Sequence, residues 1–322
     1  AQCSSTNSAS SADCAAISLS SPDSTAGIPE HLQHLEQASL VLFRIRLPRL
    51  LGASLVGAAL ASSGAAYQGL FRNSLVSPDI LGVSSGAGVG AVLALYLGFS
   101  SIGISMMSFA AGLGAVVLVG LLAQQVRTDS NLALVLSGIL VGSLLASVTS
   151  FFKLLADPAN TLPSITYWLM GSFSNLKEVQ LVIAGPLILL SCFLLYLLRW
   201  NLNLLTMGEE EAQTLGVRIR LVRVLVIVSA TLATAASVAL SGPIGWVGLV
   251  IPHFSRFLAG SDYRRLLPVS LLMGASFLIV VDDCSRLLAM SEIPIGILTS
   301  FVGIPVFLFL ILHDSWRKAH DA

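Results

Sequence analysis

Asp282, Asp283 and Arg286 stand together near the end of an apolar stretch, and paired carboxylates are the first chemistry to consider. A membrane aspartyl protease needs aspartates from two separate helices that share one proton. Adjacent residues of one helix point to different faces, so Asp282 and Asp283 do not make that dyad. Asp282 and Arg286 are four apart and can pair. His253 follows Pro252 inside an apolar run. An ionisable group there can relay protons, or it can hydrogen-bond backbone freed by the proline. The cysteines are Cys3, Cys14, Cys192 and Cys284; none forms a CxxC pair, so zinc and thioredoxin-like chemistry are not expected, and no metal site is read. Cys192 and Cys284 read as small packing residues. Cys3 and Cys14 could pair in an oxidising compartment. No catalytic constellation emerges.

Two other groups suit binding. Phe43-Arg44-Ile45-Arg46-Leu47-Pro48-Arg49 places three arginines before a long apolar helix. They can anchor at the membrane interface by snorkelling, or receive carboxylates of an acidic partner through the planar guanidinium fork. Leu205-Thr206-Met207-Gly208-Glu209-Glu210-Glu211-Ala212-Gln213-Thr214-Leu215-Gly216 reads as a short polar helix. Thr206 and Glu209 have capping-box spacing, the three glutamates favour a first turn, and Gly216 supplies a left-handed stop. It is either a connector or a coupling helix that inserts into a cytoplasmic partner.

The elements that position these groups are membrane helices. Hydrophobic residues make up 55% of the 322-residue chain and charged residues 11%, with mean hydropathy +0.86. A soluble domain carries roughly 25% charged residues. Apolar stretches of about 20 residues match the bilayer as helices. About nine are read, at 44–70, 79–98, 102–126, 130–155, 178–200, 220–240, 243–259, 266–288 and 294–313, giving an all-α polytopic bundle over 41–322. Residues 1–40 are polar and read as a flexible extramembrane leader; Ala1-Gln2-Cys3-Ser4 lacks the regions of an intact signal peptide. Net charge is zero, and nothing suggests nucleic acid.

Orientation follows the basic residues. With residue 44 outside and the C-terminus cytoplasmic, most of the 17 fall inside, while Arg44, Arg46, Arg49, Lys153, Lys177 and Arg286 fall outside. Small residues recur at Ala53, Gly57, Ala61 and Ala65, and at Gly82, Gly86 and Gly90. Such stripes let helices pack closely; they can also border a translocation path. In Gly69 to Gly82, Asn73 and Pro78 turn the chain and Asp79 stands at a helix start. Ser241-Gly242-Pro243-Ile244-Gly245 predicts a broken helix, and broken helices line transport paths, which marks Pro243, Gly245, Pro252 and His253 as path candidates.

The segments "RIRLPRLL", "GLFRNSLVSPDILGVSSGAGVG", "MGEEEAQTLGV", "GPIGWVGLVIPHFSRFLAGSDYRRLLPVS" and "EIPIGILTSFVGIPVFLFLIL" together resemble the FecCD-type permeases, over about residues 40–313. These are membrane subunits of type II ABC importers for ferric siderophores, haem, vitamin B12 and related chelates. The resemblance implies a bacterial or archaeal inner-membrane protein with a path at the interface of two copies, or of one copy and a close paralogue. It implies two cytoplasmic ATPases, which hold ATP and magnesium, and an outside solute-binding protein. Arg46, Arg49 and Arg286 would then receive acidic residues of the binding protein. Thr206, Met207, Gly208, Glu209, Glu210, Glu211, Leu215 and Gly216 would couple to the ATPase. The family usually has ten helices, the first before the arginine motif, where this chain shows no run of spanning length. None of the three lysines, Lys153, Lys177 and Lys318, lies in a GxxxxGK[ST] loop, so ATP hydrolysis is expected on another chain. The expected cargo is a ferric siderophore or similar iron chelate, with haem, cobalamin or an oxyanion such as molybdate as alternatives. An ion-coupled secondary transporter is the reading from another class.

Overall fold

A computed structural model describes residues 42–126, 130–288 and 291–320, without the side chains of Arg44, Ile45, Ser130, Glu209 and 310–320. The leader at 1–40, the Cys3–Cys14 pairing and Arg127 lie outside the described residues. Leu42–Arg46 forms a π-helical turn in a first unit that ends at Arg46; the second unit begins at Leu47.

The second unit is all-helical: α1 (Leu47–Leu70), α2 (Val83–Tyr96), α3 (Ser101–Ala123), α4 (Ser130–Leu155), α5 (Thr161–Leu169), α6 (Glu178–Leu197), α7 (Arg199–Met207), α8 (Glu209–Thr214), α9 (Ile219–Ser241), α10 (Val247–Ala259), α11 (Tyr263–Leu287) and α12 (Ile295–His320). Among the described residues, α1, α3, α4, α6, α9 and α11 are long and apolar enough to cross a membrane. At 1.5 Å per residue the 24 residues of α1 reach about 36 Å, against a hydrocarbon core of about 30 Å.

Two of the expected spans are shorter as helices. Residues 79–98 begin not as α-helix but as a 3-10 turn, Pro78–Leu81, closed by Gly82 in the left-handed region (φ 74°); only Val83–Tyr96 is α-helical. Pro78 starts that turn because it has no N–H to leave unbonded. Asp79 accepts the Ser84 hydroxyl in the first turn of α2, near the helix start expected for it. Residues 243–246 are unwound, so α10 has only 13 residues.

α1 and α9 are the most enclosed of the long helices, while α3 and α4 are mostly open to the surroundings. The packing inverts the pattern of a soluble protein. Ser62, Ser63, Thr234, Ser237 and many alanines are buried, while Leu118, Leu140, Leu154 and Leu189 face out. Lipid is as apolar as leucine, so nothing drives large side chains inward; small ones let backbones approach. The glycines show how closely. A Cβ on Gly57 of α1 would strike the carbonyl of Gly274 on α11, and one on Gly274 would strike that of Gly57. A Cβ on Gly64 of α1 would likewise strike the Gly248 carbonyl of α10, and one on Gly248 would strike Pro78 and the Leu60 carbonyl. Several buried hydroxyls find partners: Ser63 donates to the Ala230 carbonyl at 3.2 Å, and Tyr67 and Thr231 share a bond of 3.0 Å, whereas those of Ser108 and Ser270 have none among the described residues. Cys192 packs against Ser62 as expected, but Cys284 is exposed, because α11 turns that face outward.

Candidate functional site

At one end of the bundle, five charged groups interlock. Arg49, in the first turn of α1, is only 8% exposed. Its Nε donates to both oxygens of Asp282, at 2.9 and 3.1 Å. Its Nη1 and Nη2 form a parallel fork with Glu292, at 2.8 and 3.0 Å. Arg286 reaches Asp282 at 3.1 Å and Asp283 at 2.6 Å. The helix turns Asp282 inward, to 0% exposure, and leaves Asp283 largely exposed, which is the divergence of faces that excluded a catalytic dyad. A buried cation, a half-buried one and a buried carboxylate are tolerable together because each neutralises a neighbour and the guanidinium fork matches the carboxylate plane. The arginines expected to face a partner are thus differently placed. Arg46 is exposed; Arg49 has its donors taken up inside the chain; Arg286 is a quarter exposed and ion-paired. Glu292 gave no signal in the sequence, since its partner lies 243 positions away.

The broken segments meet elsewhere. Unwound backbone inside a membrane must be satisfied locally. Here the Ser172 N–H donates to the Ser241 carbonyl at 2.7 Å, Ile295 to Gly171 at 2.9 Å and Gly296 to Met170 at 3.1 Å. The end of α5, the end of α9 and the start of α12 are therefore joined backbone to backbone. Gly171 (φ 72°) and Gly242 (φ 70°) hold left-handed conformations there, and a Cβ on Gly296 would strike the Met170 carbonyl.

Against this joint lies a groove of about 640 Å³ walled by Leu169, Met170, Pro243, Gly245, Gly296, Ile297, Ser300, Phe301, Ile304 and Pro305, with no charged residue among them. Pro243 and Gly245 come together there as path candidates. Pro252 and His253 do not: Pro252 is buried in α10, and the His253 ring lies 5.7 Å from that of Phe257. Gly82, Gly86 and Gly90 lie away from this groove, in helix packing. They are buried within the protomer, where Gly86 and Gly90 let α2 lie against Ala111, Ala115 and Met107 of α3. The joint also presses on a second cavity of about 540 Å³, lined by hydroxyls and amides including Ser105, Tyr167, Ser174 and Gln180.

The acidic segment takes a different form from the one expected. Thr206 does not cap it. Leu202 and Leu205 bury one face of α7 and carry that helix through Met207, so the Thr206 hydroxyl donates to the Asn203 carbonyl at 2.7 Å. The cap position belongs to Gly208, whose φ of 151° breaks the chain between α7 and α8 and suits glycine. The Glu209 side chain lies outside the described residues. The stop does follow expectation. Gly216 is left-handed (φ 80°), its N–H bonds the Gln213 carbonyl, and the Val217 N–H bonds that of Ala212, a Schellman ending. Ala212 is buried beneath α8, while Met207 and Leu215 are 70% and 63% exposed and Glu210 and Glu211 face out.

The model of the FecCD transport family matches residues 14–313. The chain belongs to that family. It is 43% identical over 271 residues to the molybdate import system permease protein MolB of Haemophilus influenzae, covering 84% of this chain and 80% of that one. It is 40% identical over 277 residues to the cobalamin import system permease protein BtuC of Halobacterium salinarum, covering 86% and 74%. A solved ABC transporter assigned to the metal-chelate type, in an inward-facing conformation, matches with TM-score 0.81 and 42% identity over 85% of this chain and 88% of that one.

This FecCD chain is therefore a multi-pass permease subunit of a prokaryotic type II ABC importer, and the secondary-transporter reading falls. It performs no covalent step; ATPase activity lies on a partner chain. For a FecCD permease the useful geometry is mechanical: a buried ionic clasp, a jointed uncharged groove, and a capped acidic helix with two bare apolar side chains.

Proposed function

We propose that this permease moves a ferric siderophore or similar iron chelate inward by alternating access between two copies of itself, driven by two cytoplasmic ATPases and supplied by a solute-binding protein. The observation that carries the reading is the α7–α8 corner. Met207 and Leu215 stand bare on either side of exposed glutamates, on a helix that is capped at its end and anchored by Ala212. An apolar pair rimmed by charge is the composition of a protein-docking surface. We assign α8 to the ATPase and place it, with the C-terminus, in the cytoplasm; the distribution of basic residues supports that side. The cargo assignment is supported by the uncharged wall of the groove, which suits a bulky chelate, and by the likeness to the metal-chelate type transporter. A molybdate cargo is the second reading, favoured by the relative from Haemophilus influenzae.

The test is uptake in cells that express this chain with its ATPase and binding protein, offered radioactive iron chelate or radioactive molybdate. Chelate uptake that needs all partners and ATP is the expected result. Molybdate uptake alone moves the cargo to an oxyanion. Uptake without any ATPase overturns the reading.

Two variants probe the contacts. Leu215→Asp with Glu210→Lys should cost about 2 kcal/mol, roughly thirtyfold, in ATPase affinity, as expected for a buried apolar anchor. Helix content should stay unchanged, and a normal affinity would make α8 a mere connector. We assign exposed Arg46 to the binding protein. Arg46→Glu should slow its association at low salt and approach wild type at high salt, where the lost attraction is screened in both; an equal rate at low salt removes Arg46 from the contact. Arg49 and Arg286 can join that contact only by exchanging an internal carboxylate for an external one.

A further inference from the structure

Where α6 ends and α11 begins, two guanidinium groups sit over aromatic rings. Arg199 sits 4.0 Å over the ring of Tyr196, and Arg264 sits 3.6 Å over that of Trp200. Arg199 Nη1 also reaches the carbonyl of residue 264 at 3.4 Å, so both arginines share one place. The scaffold beneath is fixed by a polar network. Asn203 donates to Asp262 at 3.0 Å and accepts the Tyr263 N–H at 3.2 Å, and Asp262 accepts the Arg264 N–H at 2.9 Å. Asp262 is the nearby counter-charge, yet it is engaged with Asn203 and the backbone. Among the described residues, neither guanidinium is in an ion pair with a carboxylate.

Stacking covers the face of a guanidinium and leaves its N–H edge outward. A ligand for that edge carries anionic oxygens. Its other end is dictated by the helix that leads there. Leu189, Phe193 and Leu197 are exposed at intervals of four along α6, and exposed Trp200 continues the stripe to the stacked pair. An apolar helix face that ends in tryptophan and arginine matches the level where acyl chains give way to headgroups.

We propose that Arg199 and Arg264, held over the rings of Tyr196 and Trp200, bind the phosphate of an anionic phospholipid whose acyl chains run along the exposed face of α6. A phosphodiester offers the acceptors that two forked donors fit. A zwitterionic lipid brings its own ammonium, which competes with the arginines. The site is independent of the cargo.

The experiment uses the whole permease with its ATPase, in nanodiscs that mix phosphatidylglycerol with phosphatidylcholine. Lipid retained after purification is measured by native mass spectrometry. Wild type should retain phosphatidylglycerol selectively. Arg199→Gln with Arg264→Gln should reduce that retention about thirtyfold, the scale for two surface arginines each facing an anionic lipid. Arg265→Gln, a neighbouring exposed arginine, should leave it unchanged. No selectivity in wild type overturns the proposal without any variant. Displacement of the lipid by millimolar inorganic phosphate makes this a free-anion site and overturns the lipid assignment. Unchanged lipid with lost ATPase makes the pair a protein contact, which overturns it as well.

Discussion

Asp282→Ala should destabilise the permease by about 3–5 kcal/mol, the cost of removing one member of a buried ion pair. Asp282 is fully buried and receives Arg49 from α1 and Arg286 from its own helix. Without it, Arg49 keeps only the half-exposed Glu292, and a guanidinium nitrogen is left bare inside the bundle. The effect would be read as a fall in the thermal unfolding temperature in detergent or nanodiscs. Joint replacement, Arg49→Met with Asp282→Leu, should recover most of the loss, because it removes the stranded charge along with the pair. A single substitution within 1 kcal/mol of wild type would show that the clasp bears no part of the stability. Glu292→Gln should cost less, since water can reach that oxygen pair.

Gly57→Leu should leave no folded protein to purify. Its Cβ would occupy the place of the Gly274 carbonyl, and the obstacle is backbone on both sides. A flexible side chain could swing away; a helix cannot without lifting α11 from α1. Overpacking a core side chain costs about 1–3 kcal/mol, and prising two helices apart forfeits all the dispersion contacts along their crossing. Gly114→Leu, on exposed α3, is the matched control. A side chain there meets nothing within 4 Å, and the yield should equal wild type. Equal yields from both variants would mean that the α1–α11 crossing is loose.

The long helices were legible because hydropathy alone marks them: α9 at Ile219–Ser241 lies within two residues of the span read from the sequence, whereas the short α5 at Thr161–Leu169 fell in none of the spans. The break at Gly242 was legible too, since glycine beside proline cannot continue a helix. The late start of α2 was not, because Pro78 and Asp79 look like an ordinary helix opening and the left-handed turn at Gly82 is a local compromise. At the clasp, the i to i+4 pair of Asp282 and Arg286 could be read from one helix, whereas the Arg49 fork with Glu292 needs the packing of distant elements. Thr206 misled because a capping box is a spacing, and the burial of Leu202 and Leu205 outweighed it by extending α7. The small-residue stripe at Gly82, Gly86 and Gly90 allowed two readings, and the close approach of Gly86 and Gly90 to α3, which shows the packing, needs the tertiary structure.

The joint where α5, α9 and α12 meet is made of carbonyls and amides, with glycine where a side chain would intrude. Substitution elsewhere therefore leaves its bonding groups intact. The groove beside it is walled in part by residues with bulky side chains, Leu169, Phe301 and Ile304. Under the proposed function, one permease body can thus be refitted for cargo of another size by changing the lining, with the backbone joint left untouched. Bulk at the wall and bonding at the joint are held by different residues.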